Sequence, residues 1–147
     1  MRYRNLWVVA VLIIATLLLA ACGAQTQESS TNEQAARVER IGNTDFSRII
    51  LTAQAAKRLG IETSRVYDTQ MQGKQRKAVP YNAVFYDLNG KTWIYTNPEP
   101  LTFVRAQISV DYIDGDKAVL LDGPPTGTEI VTVGSPELYG TEFGVGQ

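Results

Sequence analysis

The segment that decides the fold is Val84-Phe-Tyr-Asp-Leu-Asn-Gly-Lys-Thr-Trp-Ile-Tyr95, in a chain of 147 residues. Asn89 and Gly90 divide it into two runs rich in aromatic and aliphatic residues, and this pair favours a two-residue type I′ hairpin turn. The segment therefore predicts two antiparallel strands. The expected cross-strand pairs are Leu88 with Lys91, Tyr86 with Trp93, and Val84 with Tyr95.

Large side chains occupy both faces of the predicted hairpin. Tyr86 and Trp93 share one face with the outermost pair, while Phe85 and Ile94 meet on the other. Aromatic cross-strand pairs stabilise a sheet by roughly 0.2–1 kcal/mol each, so we expect this hairpin to be central in its sheet. Tyr86, Trp93 and Tyr95 could instead form a ligand platform, but core packing is the expected role of these rings.

Extended segments separated by glycine and proline continue on both sides of the hairpin. Val79 precedes Pro80, which favours an extended backbone at Val79. Several short strands at this spacing predict a mainly β fold, a small antiparallel β-barrel or sandwich-like domain. The other expected strands are Arg48–Leu51, Ile61–Val66, Thr102–Val110, Ala118–Leu121 and Glu129–Val133.

Two short helices complete the predicted fold. Thr52 is a good N-cap, residues 53–59 are good helix formers, and Gly60 favours the left-handed conformation that ends a helix. Near the C-terminus, Ser135 followed by proline predicts the start of a short helical turn, with serine as the cap. Gly140 is expected to end that turn.

The N-terminus has the pattern of a secretory signal. Arg2 and Arg4 precede an apolar stretch, residues 6–19, that contains a single polar residue. This run is shorter than the about 20 apolar residues that cross a bilayer, and small residues follow it. A charged start, a short apolar core and a small-residue cleavage site predict a signal peptide over residues 1–21, cleaved after Ala21.

Cleavage would place Cys22, the single cysteine of the chain, at the new N-terminus. Leu19-Ala20-Ala21-Cys22 resembles the bacterial lipobox, in which the cysteine receives acyl chains. Several acyl chains hold a protein stably on a membrane. The resemblance implies a lipoprotein of the cell envelope, on the outer face of the plasma membrane or on the outer membrane. Gly23 is not the aspartate of an inner-membrane retention signal. The alternatives are a plain signal peptide with an incidental cysteine, and an uncleaved anchor.

Composition limits what the mature chain can do. Removing 21 of the 147 residues leaves 126, enough for one domain and a tether. The cut takes two arginines, so 12 basic residues face 15 acidic ones and the net charge becomes about −3, which argues against a nucleic-acid partner. Histidine, the commonest general base and metal ligand, is absent. No motif pairs a nucleophile with a base. We therefore expect no catalytic residue, no cofactor, no metal and no enzyme activity.

A polar segment separates the predicted lipid site from the folded part. Residues 23–44 consist mainly of small and polar residues, with Val38 and Ile41 as the only large aliphatic side chains. Such a segment buries too little apolar surface to offset the entropy of ordering it. The sequence therefore predicts a flexible tether over residues 22–45 and a β domain over residues 46–147.

Five segments follow one another in a characteristic order: Leu51–Thr63, Val79–Val84, Asn89–Tyr95, Gly127–Gly134 and Glu137-Leu138. The first resembles the stretch that opens the mature part of membrane fusion proteins, the periplasmic adaptor subunits of RND-type and HlyD-type efflux pumps. The others are similar to strands and turns of the C-terminal membrane-proximal domain of these adaptors. The resemblance covers roughly residues 49–140.

The resemblance implies a truncated adaptor. A full adaptor carries a β-barrel, a lipoyl-like domain and a long helical hairpin between its first strands and the strand that matches residues 79–84. Only residues 66–77 occupy that position in this chain. Because both ends of an adaptor chain make its membrane-proximal domain, loss of the middle would leave that domain whole. The expected protein is a stand-alone membrane-proximal-type domain on a lipid tether.

Two groups of residues are weak metal-site candidates. Asp111, Asp114 and Asp116 surround Gly115, but their spacing differs from the twelve-residue EF-hand order, and a solvated turn is expected. Adaptors of metal-efflux pumps often carry methionine or histidine clusters. The mature chain has Met71 alone, so copper or silver binding is not expected.

Lys74, Arg76 and Lys77 form a basic stretch. Each basic residue near anionic head groups contributes about 1 kcal/mol to membrane binding. The other interpretation is a solvated strand edge, whose charges discourage aggregation. A solvated strand edge is the commoner role of such a stretch, and we expect it here.

Two functions remain open. The first is a non-catalytic binding or accessory module of a transmembrane efflux transporter, which docks on a permease, on another adaptor subunit or on a second copy of itself. The second is a free-standing surface lipoprotein that binds a small ligand or a cell-wall polymer. A pocket lined by aromatic residues would favour the second function.

Overall fold

Antiparallel strands make up most of the described protein, which comprises residues 34–71 and 73–144 of a computed structural model. The described strands are β1 (Ala36–Arg40), β2 (Ser47–Leu51), β3 (Glu62–Arg65), β4 (Tyr67–Met71), β5 (Lys74–Pro80), β6 (Phe85–Tyr86), β7 (Thr92–Glu99), β8 (Thr102–Gln107), β9 (Ser109–Asp114), β10 (Lys117–Asp122) and β11 (Glu129–Val133). The described α-helices are α1 (Ala53–Leu59) and α2 (Ser135–Glu142), and Tyr81–Ala83 forms a 3₁₀ turn.

The strands form two sheets. The larger sheet has the order β1-β2-β8-β7-β11-β3, with β6 paired to β7 outside this path, and the smaller has the order β4-β5-β10-β9. Within the described residues each sheet ends in edge strands instead of closing on itself, so the domain is sandwich-like and not a closed barrel. The prediction of a mainly β, antiparallel, sandwich-like domain with two short helices is confirmed.

The larger sheet is the middle layer of the domain. Successive residues of a strand point to opposite faces. Ile94 of β7 belongs to an apolar cluster shared with Val79 and Leu120 of the smaller sheet. The next residue, Tyr95, belongs to a second cluster on the opposite face, together with Leu138 of α2. The smaller sheet and the helices therefore cover opposite faces of the larger sheet.

The predicted hairpin exists, but its register differs by one residue. Phe85 pairs with Trp93 and Tyr86 pairs with Thr92. A shift of one residue turns side chains to the other face, so Phe85 lies on the face of Tyr95, and the two rings stack with centroids 5.2 Å apart. The predicted pairs Leu88–Lys91, Tyr86–Trp93 and Val84–Tyr95 are therefore wrong.

The side chain of Asp87 explains the longer turn. Asp87 Oδ1 accepts hydrogen bonds from the backbone N–H groups of Asn89 at 2.8 Å and Lys91 at 3.0 Å. The backbone N–H of Asp87 donates to the carbonyl of Lys91, so three residues form the loop instead of two. Gly90 has a φ of 75°, the left-handed conformation that a three-residue hairpin loop requires at its last position.

The predicted tether over residues 22–45 is wrong at its C-terminal end. Strand β1 lies within that range and pairs with β2 along its whole length. An edge strand needs apolar contacts on one side only. Ala36 packs against the cluster beneath the helices, while Arg37 and Glu39 form an ion pair of 2.6 Å at the surface. The folded domain therefore includes strand β1 and does not begin at residue 46.

Helix α1 is confirmed with both of its predicted caps. Thr52 Oγ1 accepts a hydrogen bond from the backbone N–H of Ala55 at 3.1 Å. Gly60 follows the helix with a φ of 64°, and its N–H bonds to carbonyls of the last turn. Such caps satisfy backbone groups that a helix leaves without partners. They depend on neighbouring residues alone, which is why the sequence predicts them well.

Helix α2 differs from its prediction at both ends. Gly134, with a φ of 98°, occupies the N-cap position, and no side chain caps the helix there. Ser135 is the first helical residue, so its predicted capping role is wrong. The helix continues through Gly140 to Glu142. These two additional residues bring Glu142 against the larger sheet.

Strands from both sides of the short segment 66–77 pair with one another. β3, before the segment, pairs with β11, and β2 pairs with β8. The segment itself contributes β4 and most of β5, which pair with each other as a hairpin in the smaller sheet. Gly73 lies in its turn with a φ of 73°. A single hairpin thus connects the two parts of the domain.

Candidate functional site

An open cleft of about 520 Å³ lies between the β6–β7 turn, the β1–β2 connection and the C-terminal end of α2. Charged and polar residues contribute much of its lining. Arg40 and Asp45 are exposed at its margin, and Asp87 is half-buried. Arg105 of β8 and Glu142 of α2 also line it. The lining of the cleft therefore includes exposed charged side chains and the largely buried side chains of Arg105 and Glu142.

Glu142 and Arg105 are buried charged groups. The side chain of Glu142 is 2% exposed and that of Arg105 is 9% exposed. Arg105 Nε lies 3.3 Å from Glu142 Oε2, and Tyr95 Oη donates a hydrogen bond to the same oxygen at 2.5 Å. Burial of an isolated charge is costly, whereas a paired and hydrogen-bonded charge is tolerated. The three side chains therefore stabilise one another.

Aromatic rings surround the guanidinium group of Arg105. The carbon atom Cζ lies 4.3 Å from the centroid of the Trp93 ring, 5.2 Å from that of Phe143 and 5.7 Å from that of Phe46. A cation over the face of an aromatic ring is stabilised by about 0.5–2 kcal/mol, depending on how far it is desolvated. Arg105 is consequently fixed from several directions, which makes it a rigid part of the cleft.

Two atoms of the buried pair lack hydrogen bonds. Among the described residues, Glu142 Oε1 and Arg105 Nε have no hydrogen-bond partner. The contact between Arg105 Nε and Glu142 is thus an ion pair whose geometry is not that of a hydrogen bond. A buried polar atom without a partner costs about 1–3 kcal/mol. Glu142 Oε1 is therefore an acceptor that would gain from a donor.

Burial keeps Tyr95 in its neutral, donating form. Burial is the main cause that raises the pKa of Tyr95 far above its ordinary value, and the hydrogen bond to Glu142 adds to it. A phenol with a raised pKa retains its proton. The hydroxyl group of Tyr95 therefore donates to the carboxylate over the whole neutral range.

Asp87 links the margin of the cleft to the core. Its Oδ2 accepts a hydrogen bond from Trp93 Nε1 at 3.0 Å. Desolvation acts to raise the pKa of Asp87. The hydrogen bonds from Trp93 and from the backbone of Lys91 and Asn89 outweigh it, so the pKa lies below its ordinary value. Asp87 is therefore a carboxylate at neutral pH and holds the loop in place.

The three rings of the alternative ligand platform have different environments. Trp93 and Tyr95 are buried at 6% and 0% exposure, and their predicted core packing is confirmed. Tyr86 is 55% exposed, so core packing is wrong for this residue. The neighbouring Tyr81 hydroxyl group is the main cause that raises the pKa of Tyr86.

The basic stretch 74–77 is only partly at a strand edge. Lys77 pairs with both β4 and β10, so the edge interpretation is wrong for this residue, whereas Lys74 and Arg76 pair with β4 alone. Lys77 Nζ donates a hydrogen bond to the carbonyl of Gly123 at 2.6 Å, and Arg76 lies 3.6 Å from Asp111. Both cations are therefore engaged by groups of this chain.

The other predicted sites are not at the cleft. Asp114 and Asp116 flank the β9–β10 turn, and Asp111 lies further back on β9. Within residues 34–71 and 73–144 no group of three His, Cys, Asp or Glu side chains is arranged to hold a metal. Ala21 and Cys22 lie outside the described residues, as does the predicted signal peptide. In the part of the chain that the structure describes, no helix is both long and apolar enough to cross a membrane.

Sequence reasoning did not find Arg105 and Glu142. The pair is 37 positions apart in the chain and belongs to no motif. One signal was available, because Arg105 sits in the middle of a strand, between Val104 and Ala106. A cation in such a place requires a buried partner. The identity of that partner depends on the helix extending to Glu142.

The comparisons with known proteins give one partial likeness. No family model matches the chain, and no curated protein matches it. A solved structure with a TM-score of 0.45 and 20% sequence identity is an NMR structure of 180 residues of SilB from Cupriavidus metallidurans CH34. Those residues encompass its N-terminal metal-binding site and its membrane proximal domain. The likeness covers 54% of this chain and 44% of the SilB chain, so less than half of the SilB chain is matched.

Proposed function

We propose that this protein is a non-catalytic, lipid-anchored accessory module of an efflux transporter in the cell envelope. The resemblance of residues 49–140 to a membrane-proximal adaptor domain motivates the proposal. The observation that carries it is the pairing of β3 with β11 and of β2 with β8. On this interpretation the two ends of an adaptor chain fold into one domain, and the β4–β5 hairpin takes the place of the domains that lie between them in a full adaptor.

The transporter partner would be recognised through non-covalent docking. Among residues 34–71 and 73–144 the longest helix is α2, with eight residues, so this part of the chain holds no helical hairpin that could reach across the envelope. Its contribution would therefore be made close to the membrane that holds the anchor. A permease, another adaptor subunit or a second copy of the chain are the partners considered.

Affinity capture tests the proposal. A tagged chain would be isolated from native membranes after mild cross-linking, and its partners identified by mass spectrometry. The proposal expects stoichiometric recovery of a permease or an adaptor subunit. A Cys22→Ala form should lose most of this recovery, whereas Gly23→Ala, which changes the neighbouring position and keeps the acylated side chain, should retain it.

The opposite result would end the proposal. If the wild-type chain is recovered alone from membranes in which it is abundant, docking on a transporter is excluded. If Cys22→Ala recovers the same permease in the same amount, the lipid anchor has no part in docking.

Lipid attachment can be measured separately from docking. Cells grown with an alkyne-bearing fatty acid should label the wild-type and Gly23→Ala chains but not Cys22→Ala. The unlabelled variant should also keep its signal peptide, because cleavage at a lipobox follows acylation. A label that persists in Cys22→Ala would show attachment elsewhere.

A second function, small-ligand binding by a free-standing surface lipoprotein, is favoured by the cleft. Tyr139 and Phe143 line it beside the buried carboxylate of Glu142. This function would leave the chain without a permease partner but with a ligand of its own.

A further inference from the structure

The cleft carries an excess of negative charge. Glu142 and Arg105 offset one another as a pair at 3.3 Å. The other charged residues in its lining are Arg40, Asp45 and Asp87, so two carboxylates face one guanidinium group. With Arg105 and Glu142 included, the lining holds three carboxylates and two guanidinium groups, a net charge of −1, and a charged cleft favours ions of the opposite sign. A cation is therefore the better electrostatic fit.

Aromatic and aliphatic side chains lie next to these charges. The rings of Tyr139 and Phe143 have centroids 4.7 Å apart and an interplanar angle of 46°. Phe143 is 52% exposed and Leu88 is 98% exposed, and all three residues line the cleft. Aromatic faces attract organic cations, and an exposed leucine offers an apolar contact for the rest of a ligand.

The unpartnered oxygen of Glu142 points to a hydrogen-bond donor. Glu142 Oε1 has no partner among the described residues although the side chain is 98% buried, at 2% exposure. A buried acceptor of this kind recovers its lost hydrogen bond when a donor reaches it. An ammonium group supplies both the donor and the positive charge. Arg105 Nε, which also lacks a partner, would favour an acceptor instead. The surplus of carboxylates in the lining and the aromatic rings favour the ammonium group.

We propose that this cleft binds a small organic cation, a protonated amine attached to an apolar body. The ammonium group would lie among the carboxylates of Asp45 and Glu142 and the ring of Phe143. The apolar body would rest on Leu88. This inference deepens the second function, small-ligand binding, by naming the class of ligand. It does not depend on the accessory role, because no permease is involved.

A titration of the purified full chain in detergent tests the proposal. The probe is benzylammonium, followed by the chemical shifts of backbone amides in ¹⁵N-labelled protein. Benzyl alcohol, with the same ring and no charge, and benzoate, with the opposite charge, are the matched comparisons. Saturable shifts at Asn89 and Phe143 are expected with benzylammonium, at an affinity at least tenfold higher than with benzyl alcohol.

Two variants locate the binding site. Asp45→Asn removes an exposed carboxylate of the cleft and should weaken benzylammonium binding by about 1.4-fold to fivefold, the range for an exposed charge contact. Phe143→Leu keeps an apolar side chain and loses the ring face, with a loss of about twofold to fivefold expected. Asp114→Asn, an exposed carboxylate on the smaller sheet, is the matched control and should leave binding unchanged.

Three outcomes would overturn the inference. The first is the absence of saturable shifts with benzylammonium up to 20 mM, roughly the weakest affinity of interest for a small ligand. The second is equal binding of benzyl alcohol, which would mean that charge is not recognised. The third is an unchanged affinity in both Asp45→Asn and Phe143→Leu, with their folds checked by the same spectra. Each of these results is independent of whether a permease is captured.

Discussion

The hydroxyl group of Tyr95 donates a hydrogen bond of 2.5 Å to Glu142 Oε2, and this bond joins the middle strand β7 to the last turn of α2. The two residues are 47 positions apart. The same oxygen lies 3.3 Å from Arg105 on the neighbouring strand β8. Strand, strand and helix therefore meet at one carboxylate.

Tyr95→Phe should lower the free energy of unfolding by about 2 kcal/mol. A hydrogen bond to a charged group contributes about 1.5–3 kcal/mol, and its loss leaves the carboxylate with less compensation. Urea denaturation followed by tryptophan fluorescence measures the change. Tyr86→Phe removes a hydroxyl group from a side chain that is 55% exposed, and it should change stability by less than about 0.5 kcal/mol. Equal effects of the two substitutions would contradict the role of the Tyr95 contact.

Stability should decline in alkaline solution through Tyr95. Its pKa is raised in the folded state from the ordinary value of 10.0, so the folded chain holds the proton longer than the unfolded chain. The contribution is complete below pH 10 and is lost as the pH rises above it, at up to about 1.4 kcal/mol per pH unit. Urea denaturation between pH 8 and 11 measures this loss. Tyr95→Phe should show a shallower decline. Tyr67 and Tyr86, whose pKa values are also raised, are present in both proteins and cancel in the comparison.

Arg105→Met should destabilise the domain by about 3–5 kcal/mol. The substitution keeps an apolar stem among the rings but leaves the buried carboxylate of Glu142 without its cation. The double variant Arg105→Met/Glu142→Gln removes the charge and should recover much of the loss. Arg37→Met breaks an ion pair whose arginine side chain is 73% exposed, and a change below about 1 kcal/mol is expected. Thermal and urea unfolding measure all three. A double variant no more stable than Arg105→Met would argue against an uncompensated charge as the cause.

Gly134→Ala should lower the free energy of unfolding by about 1–2 kcal/mol, because the left-handed backbone is strained for a residue with a Cβ atom and the end of the Ile61 side chain must shift. Gly134 has a φ of 98°, and a Cβ atom there would collide with Ile61 Cδ1. Gly60→Ala has a similar backbone requirement, with a φ of 64°, but its Cβ would enter open space. The free energy of unfolding of that variant should fall only by the cost of backbone strain at a positive φ, about 1 kcal/mol. Adding Ile61→Val to Gly134→Ala removes the colliding carbon and should restore part of the difference, as measured by urea denaturation. If Gly134→Ala and Gly60→Ala cost the same, the collision with Ile61 does not limit this position.

Local signals in the sequence predicted the elements that depend on neighbouring residues. Thr52 and Gly60 specify helix α1 because a cap is a contact within one turn. The hairpin at Asn89 and Gly90 is predicted for the same reason, but its predicted register is wrong by one residue. The loop length depends on Asp87, whose side chain substitutes for a backbone acceptor. A side-chain acceptor of this kind does not appear in a pattern of apolar residues.

Contacts between residues far apart in the chain could not be predicted from patterns in the sequence. Strand β1 has the composition of a tether, and only its pairing with β2 makes it a strand. The cleft depends on Arg105 and Glu142, which meet because α2 continues past Gly140. A glycine in a helix is unfavourable by about 1 kcal/mol, so the sequence predicted an end there. The contacts of Glu142 with Tyr95 and Arg105 supply the compensating stabilisation.

The position of β1 determines how the domain responds to mechanical force. A pull on the chain from its N-terminal side acts on the outermost strand of the larger sheet. Ala36, the first residue of that strand, faces Leu51 at the open end of the β1–β2 pair. Tension therefore unzips the hydrogen bonds one after another instead of shearing them together. This would release the five residues of β1 from the sheet, while β2 stays paired with β8. The hydrogen bonds between β1 and β2 should therefore break before the force reaches the other strand pairs of the larger sheet.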